Sequence, residues 1–226
     1  MMSPERDVAS ECQRLSLAAG RWRDVSPDER AELAMRTAQS IGCEAGAWVR
    51  AAVAMKSVGP DGQDACTDRL RPVLQAEECA TGPIATLRLL FLTAQALRSI
   101  GKTGVPEVSV GPRMTHGQNQ IHESPFGSPS SFVAVDVVPV RRLYDPTIFR
   151  GYRATVRCAN TGSVETFMKL WQEECQQRPV SEGVAVVLGA GNVTGLAAAD
   201  AVSQIFEHGR AVLLRLHPVQ ISLAPV

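Results

Sequence analysis

The apolar positions of the first hundred residues recur at helical spacing. Val25-Ser26-Pro27-Asp28-Glu29 reads as a helix start, with Ser26 as N-cap, Pro27 in the first turn and Glu29 closing a capping box. The Ala-rich segment that follows favours helix, and Leu33, Ala34, Ala38 and Ile41 recur on its periodic face. Gly42 and Gly46 weaken that pattern. A second stretch puts Trp48, Val49, Ala52, Val53 and Met55 on one side and stops at the loop Gly59-Pro60-Asp61-Gly62. A third helix is expected to begin near Pro83, to carry Leu87, Leu90, Phe91, Ala94, Leu97 and Ile100, and to end with Gly101 as its C-cap.

The pattern then changes. Residues 104–131 hold glycines, prolines, serines and two histidines and read as irregular. Phe132 to Pro139 is a β-branched run ended by proline, and Tyr152 to Cys158 a second strand, followed by a helix from Ser163 to about Gln177. Gly183 to Leu188 is a continuous apolar run, of the kind buried on both faces of a parallel sheet. A tight turn through Gly189 and Asn192 leads into a helix from about Thr194 to His208, which Gly209 ends. Ala211 to Leu216 is a further apolar strand, stopped by Pro218. Strand, helix and strand in this length make a βαβ unit. The expected class is therefore α/β, with a helical N-terminal region (1–103), a loop and strand segment of linker or oligomerisation type (104–160) and the start of a Rossmann-like cofactor-binding domain (161–226). Internal repeats and low-complexity tracts are absent from the sequence.

Composition narrows the partners. The chain has 226 residues, long enough to bury a real core, and is 45% hydrophobic and 20% charged. Its 23 Lys and Arg balance 23 Asp and Glu, so it lacks the basic excess on which non-specific nucleic-acid and anionic-membrane binding rest. Zero net charge also removes a barrier to self-association. With no signal-peptide pattern at the N-terminus and no run of 18 apolar residues, a cytoplasmic protein is expected. The six cysteines (Cys12, Cys43, Cys66, Cys79, Cys158 and Cys175) form no C-x-x-C pair, which argues against zinc and for free thiols in a reducing compartment.

Most motif candidates are blander than they look. Gly101-Lys102-Thr103 resembles the end of a phosphate-binding loop, but Ala96 stands where that loop needs glycine and a helix precedes it instead of a strand. His116 and His122, with Glu123, lack the helical spacing of metal ligands and read as loop histidines; His208 and His217 read as solvated or locally bonded residues at element ends. No metal site is expected. The sequon Asn192-Val193-Thr194 carries no weight without secretion. Gly189-Ala190-Gly191-Asn192-Val193-Thr194-Gly195 follows a strand and opens a helix, as a dinucleotide turn does. Its spacing is G-x-G-x-x-x-G, however, and Arg215 and His217 stand where an acidic residue belongs. Glycines that merely allow tight packing explain it about as well.

Leu188-Gly189-Ala190-Gly191-Asn192, a helix, and then Leu213-Leu214-Arg215-Leu216-His217-Pro218-Val219 resemble the aldehyde dehydrogenase superfamily, in particular a bacterial-type branch. The stretch from Leu143 through Tyr144-Asp145-Pro146-Thr147-Ile148-Phe149-Arg150-Gly151-Tyr152-Arg153 to Ala154, the Trp48-Val49 pair and the Gly82-Pro83 helix start fit that branch as well, so the resemblance spans most of the chain and is specific from about residue 132 onward. It implies NAD- or NADP-dependent conversion between an aldehyde and an acid or acyl thioester. By the same resemblance Asn192 donates to the oxyanion of a thiohemiacetal, Leu188, Gly189 and Ala190 line the cofactor, and Arg215 falls where the superfamily has a lysine touching the adenosine ribose or its 2′-phosphate. The separation of 23 residues from Asn192 to Arg215 agrees with the family register. Arginine there grips a phosphate better than a ribose hydroxyl and tilts the expectation toward NADP. Pro218 replaces the family's glutamate. The family's nucleophilic cysteine and general-base glutamate follow the asparagine, and no cysteine follows Asn192 here, so the expectation is a truncated chain, inactive alone, that binds cofactor weakly or not at all. The alternatives are a non-catalytic binding or assembly module, acting as a homo-oligomer or with a full-length relative, and a degenerate fragment that aggregates through an exposed apolar edge strand at Ala211 to Leu216.

Overall fold

A computed structural model describes residues 8–22, 24–58, 61–108, 110–116, 131–140, 144–159, 162–176 and 183–224. The chain is mixed helix and sheet and divides into two compact units, Met1–Gly101 with Arg178–Val226, and Lys102–Gln177.

The first unit opens with α1 (Val8–Trp22) and α2 (Pro27–Lys56). Ser26 caps α2 in the expected box: its hydroxyl accepts from the Glu29 amide at 3.3 Å, and its own amide donates to the Glu29 carboxylate at 2.9 Å. The helix does not break at Gly42 or Gly46; both lie exposed within one continuous run of 30 residues. The cost of about 1 kcal/mol per helical glycine is offset by an alanine-rich face packed into the core. That core holds Ala31, Ala34, Ala38, Leu90, Ala94, Val202 and Phe206, with Trp22 packed edge-on to Phe206.

The next helix begins earlier than the sequence suggests. α3 (Arg71–Cys79) starts at Arg71-Pro72, passes through a π-helical turn (Ala80–Ile84) containing Gly82 and Pro83, and continues as α4 (Ala85–Thr103). A proline inside a helix removes an amide donor and crowds the preceding turn, and the wider π turn accommodates it here. Gly101 is helical, and the glycine with positive φ beyond the helix end is Gly104, at +83°.

The rest of this unit is β4 (Val184–Leu188), α7 (Leu196–Val202), a π-helical turn (Ser203–Glu207), β5 (Ala211–Arg215) and a 3-10 helix (Pro218–Leu223). β4 and β5 pair in parallel, with Leu188 opposite Arg215. β4 is not buried on both faces: Val187 is buried, whereas Val186 and Leu188 are 62% and 68% exposed. Its apolar run alone does not reveal how many elements cover it.

The second unit holds an antiparallel sheet ordered β1-β2-β3, with β1 (Val110–His116), β2 (Ser131–Val138) and β3 (Ala154–Ala159), together with α5 (Asp145–Ile148) and α6 (Val164–Gln176). β1 lies in a stretch read as irregular, because Gly111-Pro112 breaks the strand signal; a register shift between Val110 and Arg113 accommodates the proline on this edge strand. The peptide bond from Val138 to Pro139 at the end of β2 is cis.

Candidate functional site

The carboxyl ends of parallel strands are where open α/β sheets place their chemistry. Here the chain leaves β4 through Gly189–Gly195, and the Gly189 amide donates to the Arg215 carbonyl at 2.8 Å, tying the turn to the end of β5. Asn192 sits exposed on this turn and Arg215 exposed at the end of β5. Neither side chain forms a hydrogen bond or ion pair among the described residues. Leu188 ends β4, and Gly189 and Ala190 open the turn ahead of Asn192.

The turn is held from below by a network that brings in Glu78, Lys56 and Gln220, which the sequence did not single out. Glu78 of α3 is fully buried. One of its carboxylate oxygens accepts from the Thr194 hydroxyl at 3.0 Å, and the other pairs with Lys56 Nζ from the end of α2, which also reaches Glu77 at 3.1 Å. Desolvation pulls the Lys56 pKa down, but the hydrogen bonds and charges of Glu78 and Glu77 outweigh it and hold the ammonium above its ordinary range. Buried Gln220 donates from Nε2 to the Val193 carbonyl at 3.2 Å. His217 Nδ1 accepts from the Val219 amide at 3.2 Å and caps the 3-10 helix. Glu78, Lys56 and Gln220 become visible only through partners far along the chain, whereas the His217 cap is local, as its place at an element end suggested.

The glycines of the turn face protein. A Cβ on Gly195 would stand 2.3 Å from the Thr81 carbonyl oxygen, one on Gly191 2.9 Å from His217 Nδ1, and one on Gly189 3.3 Å from the His217 amide. Tight packing therefore accounts for the G-x-G-x-x-x-G pattern. Gly195 precedes α7 directly and lies against Thr81 and Gly82, so this helix start is closed to a pyrophosphate.

A cavity of about 330 Å³ lies beside the turn, lined mainly by apolar groups that include Ile41, Trp48, Ala197, Leu214, Leu216 and Leu223. Neither Asn192 nor Arg215 is among its lining residues. The Trp48 indole nitrogen is buried without a partner among the described residues, in the direction of Gly82.

The remaining candidates are not gathered here. Gly101-Lys102-Thr103 is the last turn of α4. His116 ends β1, and His122 and Glu123 lie outside the described residues. Cys43 is exposed and the other five cysteines are partly buried and free; burial, with Glu174 beside it, pushes the Cys175 thiol up, which disfavours the thiolate a nucleophile needs. Among the described residues no cluster of three or more His, Cys, Asp or Glu side chains is placed to hold a metal, and no helix is long and apolar enough to cross a membrane. No family model, curated protein or solved structure matches the chain.

Proposed function

We propose that this chain carries the opening βαβ of an aldehyde dehydrogenase-type oxidoreductase that uses NADP in preference to NAD. The observation that carries this reading is the placement of Asn192 and Arg215, both exposed and uncommitted, at the carboxyl ends of two parallel strands tied together by the Gly189–Arg215 hydrogen bond. A neutral amide on a braced turn suits an oxyanion donor, because it stabilises charge that appears only in the transition state. The proposed substrate is a small aldehyde, converted to an acid or an acyl thioester.

The donor set fits one part of the cofactor better than another. Arg215 presents a free planar fork able to grip an adenosine 2′-phosphate in bidentate fashion. The start of α7 is closed by Thr81, so the residues that would hold the rest of the cofactor are Leu188, Gly189 and Ala190 and not the helix end. Bound there, the cofactor supplies the hydride acceptor. The protein's part is to orient it through Arg215 and to hold the substrate oxygen with Asn192. None of the six cysteines follows Asn192, so the nucleophile is not supplied by residues 193–226.

Titration of the 226-residue protein with NADP and NAD, followed by amide chemical shifts, tests the reading. NADP is expected to bind weakly, with a Kd of about 1 mM, to shift the amides of 188–192 and 215 more than NAD does, and to lose that advantage in Arg215→Ala. Equal, diffuse shifts with both cofactors, unaffected by the substitution, would overturn it.

A further inference from the structure

The chain stays extended past the end of β5, with His217 at φ −61° and ψ 142°. Leu214 and Leu216 line the apolar cavity, so the alternate residues Arg215 and His217 turn to the opposite side. Two residues of extended chain set them roughly 7 Å apart along the strand direction. Both are exposed.

The imidazole of His217 lies against Gly191. A Cβ on that glycine would stand 2.9 Å from Nδ1, 3.0 Å from Cε1 and 3.3 Å from Cγ, so the ring fills the space that the missing side chain leaves, beside Asn192. Nδ1 accepts from the Val219 amide at 3.2 Å, which puts the proton of the neutral ring on Nε2. Nε2 itself has no partner among the described residues. It therefore presents a donor: its partner is an acceptor and not a metal ion, which would need the lone pair. The charge around it has one sign. Residues 183–195 and 208–226 contain no Asp or Glu, and Glu78 beneath the turn is paired with Lys56, so the positive charge of Arg215 is uncompensated at this end of the sheet.

We infer that Arg215 and His217 together hold one phosphate monoester. Arg215 supplies the charge and a planar fork for two of the phosphate oxygens. His217 supplies a neutral, directed N–H to a third, from a ring whose orientation the Val219 amide and Gly191 fix. The inference rests on the oxidoreductase reading for the identity of the ligand, where the group is the adenosine 2′-phosphate. It adds His217 to that reading as a residue that sets the preference for phosphate over a ribose hydroxyl.

Adenosine 2′-monophosphate, titrated into the 226-residue protein and followed by the ring nitrogens of His217, tests the pair. Binding in the millimolar range should move the Nε2 resonance, and adenosine without the phosphate should leave it in place. Two substitutions separate binding from capping. His217→Asn keeps a good cap but loses the reach of Nε2, whereas His217→Gln loses much of the cap and sets an amide N–H near the Nε2 position. Thermal stability should therefore rank Asn above Gln, and affinity Gln above Asn, with His217→Asn weakening binding about threefold or more. A purely structural role makes affinity follow stability; that order, or an unmoved Nε2 resonance, overturns the inference. An NADP preference lost in Arg215→Ala but untouched by His217→Asn overturns it too and leaves the cofactor reading standing. Monophosphate binding that depends on His217 while NADP and NAD bind alike does the reverse.

Discussion

The two sheets of this chain begin from similar apolar runs and end in opposite circumstances. In β2, Val133, Ala134 and Val135 are all buried, at 0%, 1% and 5% exposure, because the strand has a neighbour on each edge and cover on each face. In β4, Val187 is buried while Val186 and Leu188 stand exposed. The edges differ as well. β1 carries Pro112 and a register shift, and β3 carries Arg157, so the outer strands of the antiparallel sheet resist further pairing. β4 has no such protection. Burial is thus set by the number of neighbours and not by the run itself.

The parallel sheet depends on a turn packed without slack, and the sharpest way to break it is at Gly195. The backbone φ there is −79°, which any residue adopts, so the demand for glycine is purely steric. Gly195→Ala would drive a methyl group into the Thr81 carbonyl and should cost about 3 kcal/mol or more. Gly42→Ala, in open space on α2, should instead stabilise by up to about 1 kcal/mol. Urea denaturation of both variants checks the contrast; equal effects would mean the turn is free to move away from the π-helical turn at Thr81.

The support beneath the turn ranks next. Glu78→Ala removes the buried partner shared by Thr194 and Lys56, leaving Lys56 only Glu77 of its two carboxylates, and should destabilise by about 2–3 kcal/mol. Thr194→Val removes one donor to a carboxylate that keeps its lysine and should cost about 1–2 kcal/mol. The double variant should fall short of the sum, since both substitutions remove the same bond. Full additivity would show that Thr194 and Glu78 act independently.

These sites also show where sequence reading succeeds. The capping box at Ser26 and Glu29 was legible because its physics is local, and so were β2, β3, α6 and the strand-helix-strand order, each written in one continuous pattern. Gly42, Gly46 and Pro83 misled because propensity is a weak cost that packing of Ala31, Ala34, Ala38 and Leu90 overrides. β1 was missed because Gly111-Pro112 interrupts its alternation, and the bulge that absorbs them exists only in the paired strand. Asn192 and Arg215 are candidates only through the family resemblance, whose register they match within one βαβ unit. Glu78 is not among them, since its meaning lies in Thr194, far along the chain, and in Lys56 at the end of another helix.

The smallest expected effect separates the two sheets by acid. Asp136 accepts from Arg113 through both terminal nitrogens at 2.9 Å and from the Thr155 hydroxyl at 2.7 Å, linking all three strands on one face. The Arg113 hydrogen bonds first, and Thr155 after them, hold its carboxyl below the ordinary 3.8. A depressed carboxyl pKa stabilises the fold above the unfolded value and loses that contribution as pH falls through the folded one. The β1-β2-β3 sheet should therefore loosen progressively below about pH 4, and Asp136→Asn should flatten that dependence while lowering stability slightly at neutral pH. β4 and β5 contain no carboxylate, so their mutual pairing has no such dependence of its own. Hydrogen exchange at the amides of β2 and of the β4–β5 ladder, compared across this range, reads the two sheets separately. An acid response in β2 that survives Asp136→Asn would assign it to another group in that unit.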